Sequence, residues 1–240
     1  MTNKIYLDAG HGGTDGGAGG NGLLEKNLTL SIVKKIQETL TKNYEDVQIK
    51  LSRTGDTYPT LSQRTNDANA WGADVLISVH INANANTSAN GFETYIYNQS
   101  PSARTVSFQN MLHQEIFNQM KAGGVSNDRG KKRANLHMCR ESNMSAVLTE
   151  NLFISNKSDA DKLRQDAFIN RIAQGHVVGL EKFLGLKKKQ TAEPNTSTPI
   201  DASIGVRFAV QVGSFASRAN AEAMLKRVQA EGFEAFIKEQ

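Results

Sequence analysis

Through residues 4 to 184 the chain alternates short apolar, β-branched runs with stretches whose apolar positions recur at helical spacing. A chain patterned this way buries strands and helices in separate layers around a shared core, which makes it α/β. Lys4 to Asp8, Val47 to Ser52, Asp74 to His80, Gly91 to Tyr97 and Ala146 to Glu150 are predicted strands. Leu28, Leu30, Ile32, Val33, Ile36 and Leu40 mark one helix, and Val106, Met111, Leu112, Ile116 and Met120 another. Ser158 to Leu184 is predicted as a last long helix or a pair of helices, with Leu163, Phe168, Ile172, Val177, Leu180 and Phe183 inward. The expected fold is a central mixed, mostly parallel sheet flanked by helices, with a small C-terminal βαβ unit.

That last unit follows an abrupt change of composition. Residues 187–205 hold two of the four prolines and many Thr, Ser, Asn and Lys, with almost nothing to bury, so they read as a linker between a catalytic-sized domain, 1–186, and a tail, 206–240. In the tail, Arg207 to Gly213 alternates like a strand, Ser217 can cap a helix carrying Ala221, Met224, Leu225 and Val228, and Phe233 to Lys238 forms a second strand. A unit of under about 40 residues without disulfide or metal is expected not to fold alone.

Several function classes fall away on composition. The single cysteine, Cys139, excludes an internal disulfide and has no partner motif that would make it a nucleophile. No run approaches the roughly 18 apolar residues of a membrane span, and the N-terminus enters a strand without a charged leader, which argues against Sec-type export. A net charge of +4 and a pI near 9.1 suit an anionic partner. Arg129, Lys131, Lys132 and Arg133, and the run Lys187 to Lys189, are not interleaved with aromatics as a nucleic-acid face would be, so a wall carrying anionic polymers is expected rather than nucleic acid. The lysine run also suits a solvated helix C-terminus.

Eight of the 20 glycines fall between Gly10 and Gly22, directly after the first strand. Gly17-Ala-Gly19-Gly-Asn-Gly22 satisfies a dinucleotide pattern, but it begins nine residues after Asp8 rather than immediately after the strand, where a phosphate-binding turn is needed. His11 follows the C-terminal end of that strand, Glu25 opens the first helix, and His80 ends the apolar run Val75-Leu-Ile-Ser-Val-His80. Two imidazoles and a carboxylate at the ends of neighbouring elements match a His₂Glu set that holds catalytic zinc, Zn2+, and leaves a position for water. Glu150, ending another apolar strand, is costly to bury without a task and is the expected proton shuttle of a hydrolysis. His113, His137 and His176 are expected to be structural.

These residues resemble the zinc-dependent N-acetylmuramoyl-L-alanine amidases of the amidase 3 family. Asp8-Ala-Gly-His11-Gly-Gly, Leu24-Glu25-Lys26, Ser78-Val-His80-Ile-Asn82 and Leu148-Thr-Glu150-Asn-Leu-Phe-Ile-Ser-Asn156 look like its signature blocks, and Leu51-Ser-Arg53-Thr, Arg64 with Ala68-Asn69, and Asp128-Arg129-Gly130 fit between them. The resemblance spans residues 3 to 184 and implies zinc on His11, Glu25 and His80, with Glu150 as acid/base. The family usually shows proline where Ala9 stands, and some members carry a blocking helical insertion where the stretch after Tyr97 is short here. Phe208 to Phe215 resembles the opening of a SPOR repeat, a module for glycan strands stripped of stem peptides, with half of the usual two-repeat unit present. The resemblance therefore implies a monomeric catalytic domain cutting the lactyl–alanine amide of peptidoglycan, in an enzyme made in the cytoplasm that meets the wall on lysis or release, as sporulation amidases and phage endolysins do. A zinc peptidase acting on stem peptides, and a non-catalytic peptidoglycan binder, remain the alternatives.

Overall fold

The computed structural model describes residues 2–189, 215, 217–230 and 236–237. They belong to two compact units, Met1–Thr191 and Ala192–Gln240. In chain order the elements are β1 (Asn3–Ala9), β2 (Gly19–Gly20), β3 (Leu23–Leu24), α1 (Glu25–Asn43), β4 (Val47–Leu51), α2 (Leu61–Trp71), β5 (Val75–Asn82), β6 (Phe92–Tyr97), α3 (Ala103–Ala122), β7 (Asp128–Ala134), α4 (His137–Arg140), β8 (Ser145–Phe153), α5 (Lys157–Leu163), α6 (Asp166–Leu184) and α7 (Arg218–Ala230).

The first unit is built on a 6-stranded sheet of order β4-β1-β5-β8-β6-β7. Every neighbouring pair is parallel except β6 with β8. The central strands are apolar on both faces because both are covered, as parallel sheets require. Ile5, Leu7, Ile77, Val79 and Val147 pack into one cluster with residues of α1, α3 and α6, whereas Tyr6, Leu76 and Ala146 meet Ala68 of α2 and Met138 of α4 on the other side. Parallel alignment places the C-terminal ends of β1, β5 and β8 side by side, which is where an open α/β sheet presents its chemistry.

Besides the short β2 and β3, three elements lie outside the predicted set. In α2 the buried residues are Arg64, Thr65 and Ala68, too polar a face for apolar periodicity to reveal. The helix is marked instead by a capping box between Thr60 and Gln63. The edge strand β7 reads Asp-Arg-Gly-Lys-Lys-Arg-Ala and has no apolar alternation, while α4 is a single turn. The last predicted helical segment is a pair, broken between α5 and α6 at Arg164 and Gln165. The Gly17–Gly22 segment supplies β2 and the turn of the β2–β3 hairpin that leads into α1.

Residues 187–189 lie along the end of α1: Glu45 N donates to Lys187 O and Lys189 N to Asn43 O, both at 2.8 Å. In the second unit α7 carries Ala221, Met224, Leu225 and Val228 as expected. The predicted tail strands lie outside the described residues except for Phe236 and Ile237. Among the described residues no helix is long and apolar enough to cross a membrane. Cys139 is buried, and burial pushes its thiol up to about 12, so it is an inert core residue.

Candidate active site

The end of β1 is held by two buried guanidinium groups. Arg64 is 2% exposed and donates to Asp8 Oδ1 at 2.7 Å, Ala9 O at 2.6 Å, His11 O at 2.8 Å and Pro59 O at 2.8 Å. Arg53 donates to Ala9 O and Gly10 O at 3.1 Å each and to Lys26 O at 2.7 Å. The carbonyls of this turn therefore face arginines rather than water, and the loop bearing His11 is tied to the start of α1. His11 itself adopts φ 63, a left-handed conformation that a non-glycine residue keeps only where its surroundings enforce it.

His11, Glu25 and His80 come together with their ligand atoms within 4.8 Å of one another. Glu25 is 3% exposed at the first position of α1 and is the hub. Its Oε1 accepts from His80 Nδ1 at 2.9 Å and from Ile81 N at 3.0 Å, while its Oε2 accepts from Ala18 N at 2.7 Å and lies 3.2 Å from His11 Nε2. The other nitrogen of His11, Nδ1, faces Asp15 Oδ2 at 2.8 Å. A carboxylate on the far nitrogen fixes the ring and makes Nε2 the basic one, the usual device behind a metal-ligating histidine. Backbone is packed against the trio: a Cβ added to Gly10 would stand 2.4 Å from His80 Cε1.

Electrostatics follow from this crowding. Burial would raise the Glu25 carboxyl, but the two imidazoles hold it far below the carboxylate range. His11 rises to about 9, chiefly through its bond to Glu25, and His80 also rises because Glu25 and Glu150 outweigh burial. The carboxylates thus favour positive charge between them, which protons on the imidazoles or a cation can supply, and two imidazole nitrogens with one carboxylate form a donor set that fits a divalent cation with a taste for imidazole.

Glu150 stands opposite His80 in the β5–β8 register and opposite Glu93 in the β8–β6 register. Its Oε2 is buried without a hydrogen-bond partner among the described residues. Burial, then the nearby Glu25 and Glu93, drive its carboxyl up to about 7 against the pull of His80. A carboxyl of that kind can take up and release a proton at neutral pH. Behind it, Asn151 Nδ2 donates to His80 O at 3.0 Å and to Thr149 Oγ1 at 2.9 Å.

The remaining histidines sit elsewhere. His113 lies between Thr94 and Asp128, His176 between Thr149 and Ile172 O, and His137 beside Thr65. Asp15, Arg53, Arg64 and Asn151 have supporting roles that the sequence did not assign. For Asp15 the available signal was its i, i+4 spacing from His11, hidden in a glycine-rich loop with no helix to give that spacing meaning.

Compared with known proteins, residues 5–182 match the family model described as N-acetylmuramoyl-L-alanine amidase, and residues 205–240 match the SPOR domain model. The chain is 44% identical to the sporulation-specific N-acetylmuramoyl-L-alanine amidase of Bacillus subtilis, over 98% of this chain and 84% of that one. It is 47% identical to the endolysin of Bacillus phage SPP1, over 79% of this chain and 69% of the phage protein. Among solved structures, the catalytic domain of CwlV, an N-acetylmuramoyl-L-alanine amidase from Bacillus (Paenibacillus) polymyxa, superposes with a TM-score of 0.72 at 32% identity, covering 78% of this chain and all of that one (100%).

Proposed function

We propose, from the premise that the chain belongs to the N-acetylmuramoyl-L-alanine amidase family and hydrolyses the amide between the muramoyl lactyl group and L-alanine in peptidoglycan, that His11, Glu25 and His80 hold zinc and that Glu150 moves the proton. The observation that carries this division of labour is the contrast between a fully bonded Glu25 and a Glu150, opposite His80 on the neighbouring strand, whose Oε2 is buried without a hydrogen-bond partner among the described residues. Bound zinc supplies Lewis acidity toward the lactyl carbonyl and eases deprotonation of a water. Glu150 accepts the proton of the attacking water and hands it to the departing alanine nitrogen, so that the leaving group exits as an amine. Asp15 keeps Nε2 of His11 available, and Arg53 and Arg64 hold the loop so that the ligands need not be gathered at each turnover.

The enzyme acts on the cell wall. The SPOR match over residues 205–240 supports a second attachment, to glycan strands already stripped of peptide, with the domain boundaries near 186 and 206.

Mass spectrometry of digested peptidoglycan tests the reaction. New alanine N-termini with intact lactyl groups are expected; cuts further along the stem would make the enzyme a peptidase, and no product would make it a binder. Elemental analysis alongside tests the roles: His80→Ala loses both zinc and turnover, whereas Glu150→Gln keeps zinc and loses most turnover. Metal loss in Glu150→Gln would move Glu150 among the ligands.

A further inference from the structure

Beside the proposed proton shuttle lies an ionic cluster that the hydrolysis does not use. Glu93 is 2% exposed and faces Glu150 across the β6–β8 pair. Its Oε1 accepts from Asn82 Nδ2 at 2.7 Å and Tyr95 OH at 2.9 Å, and its Oε2 from Arg129 Nε at 2.7 Å and from Lys132 Nζ. One carboxylate is therefore met by two cations, leaving the cluster with a net positive charge at the rim of the site.

The way Arg129 reaches this cluster is not that of a regular strand. Residues three apart on a strand point to opposite faces, yet Arg129 and Lys132 meet the same oxygen. The cause is a break in register: Phe92 pairs with Asp128 but Glu93 with Gly130, so Arg129 is the extra residue of a bulge, and Gly130 supplies the φ of 83. Bulges of this kind re-aim a side chain beside a site. The guanidinium is further fixed by stacking over Phe153, 4.7 Å from the ring centre. Only Nε is engaged; among the described residues no hydrogen bond reaches the two terminal nitrogens, and the side chain is 30% exposed. A guanidinium held at its base and face, with its fork open, is arranged for a planar anion.

Its position indicates which anion. Across the sheet the order is His80, then Glu150, then Glu93 with Arg129. For the reaction this is carbonyl, departing nitrogen, and whatever follows the nitrogen on the peptide side. Adjacent strands are spaced by about 4.8 Å, so Arg129 lies within a residue or two of the alanine being released. We propose that Arg129, braced by Glu93 and assisted by Lys132, binds a carboxylate carried by the second residue of the stem peptide, and so makes the enzyme prefer a free acid there over a carboxamide. The inference rests on the amidase reading of the site.

The test uses the full-length enzyme and two soluble muramoyl peptides that differ only in carboxylate or carboxamide at the second residue. The wild-type enzyme is expected to favour the acid roughly tenfold in kcat/KM, as a charge-assisted pair with a partly exposed arginine allows. In Arg129→Gln the acid-to-amide ratio should fall to about one, and in Arg129→Lys, which keeps charge without the fork, it should be intermediate. Each ratio is measured on one preparation, so any unfolded fraction cancels, and Glu93 keeps three donors in the variant. Equal use of both peptides by wild type, or an unchanged ratio in Arg129→Gln, overturns the assignment while leaving the amidase intact. Hydrolysis of neither peptide faults the amidase reading and this inference together.

Discussion

The buried histidine of α6 makes the stability of the catalytic unit depend on pH in a way that can be worked out. His176 is 0% exposed; its Nδ1 donates to Ile172 O at 2.8 Å and its Nε2 accepts from Thr149 Oγ1, 3.1 Å away. Protonation would put a hydrogen on Nε2 facing a hydroxyl that already accepts from Asn151, and would place a charge in the core, so burial lowers this imidazole from 6.5 to about 4. Between those values the unfolded chain holds a proton that the folded one refuses, so the stabilisation is complete above pH 6.5 and is lost as pH falls toward 4. At about 1.4 kcal/mol per pH unit the loss is about 3 kcal/mol, a large share of a typical domain's stability. Urea unfolding followed by the fluorescence of the single tryptophan, Trp71, in wild type and His176→Gln should show it. Glu25 and Asp8, whose carboxyls are depressed, also lose stability in acid, and His11, whose imidazole is raised, loses it in base; taking the difference between the two proteins cancels these. A chelator in both samples removes metal linkage. The advantage of wild type should shrink by about 3 kcal/mol from pH 7.5 to 3.5. A difference constant to within about half a kcal/mol would show that His176 titrates normally and that the burial argument is wrong.

Other perturbations have equally definite outcomes. Arg64→Met leaves Asp8 charged and buried with Ser78 as its remaining side-chain partner, and should cost about 3–5 kcal/mol by chemical denaturation, with zinc binding weakened as the His11 loop loosens. Gly10→Ala would drive a methyl into the His80 ring, so bound zinc by elemental analysis should fall well below stoichiometry even where circular dichroism reports a folded protein. His113→Ala should lower the melting temperature but keep zinc and turnover, since His113 bonds Thr94 and Asp128 and none of the ligands. Truncation after Lys189 should spare hydrolysis of soluble muropeptides while reducing co-sedimentation with peptide-stripped walls; unchanged sedimentation would remove the tail from wall attachment.

What the sequence made legible and what it hid divide along one physical line. β1, β5 and β8 were visible because both faces of a central parallel strand are covered, and His11 just beyond β1, with His80 and Glu150 near the C-terminal ends of β5 and β8, then stood out as polar groups after apolar runs. Elements held by polar contacts gave no such pattern. α2 is fastened by the hydrogen bonds of Arg64 rather than by an apolar stripe, and β7 is an edge strand whose outward Lys131 and Arg133 also discourage pairing with a further strand. In sequence the basic run therefore stood as one cluster on a protein suited to anionic partners, although it is two populations. Lys131 and Arg133 face solvent, while Arg129 and Lys132 turn inward onto Glu93, a carboxylate 36 residues before Arg129 in the chain. A one-residue bulge decides which cation belongs to which population, and no count of charges or alternation of apolar positions records a bulge. The part of this site that carries the metal could thus be read from residue types alone, whereas the part facing the peptide depends on register, which only the paired strands define.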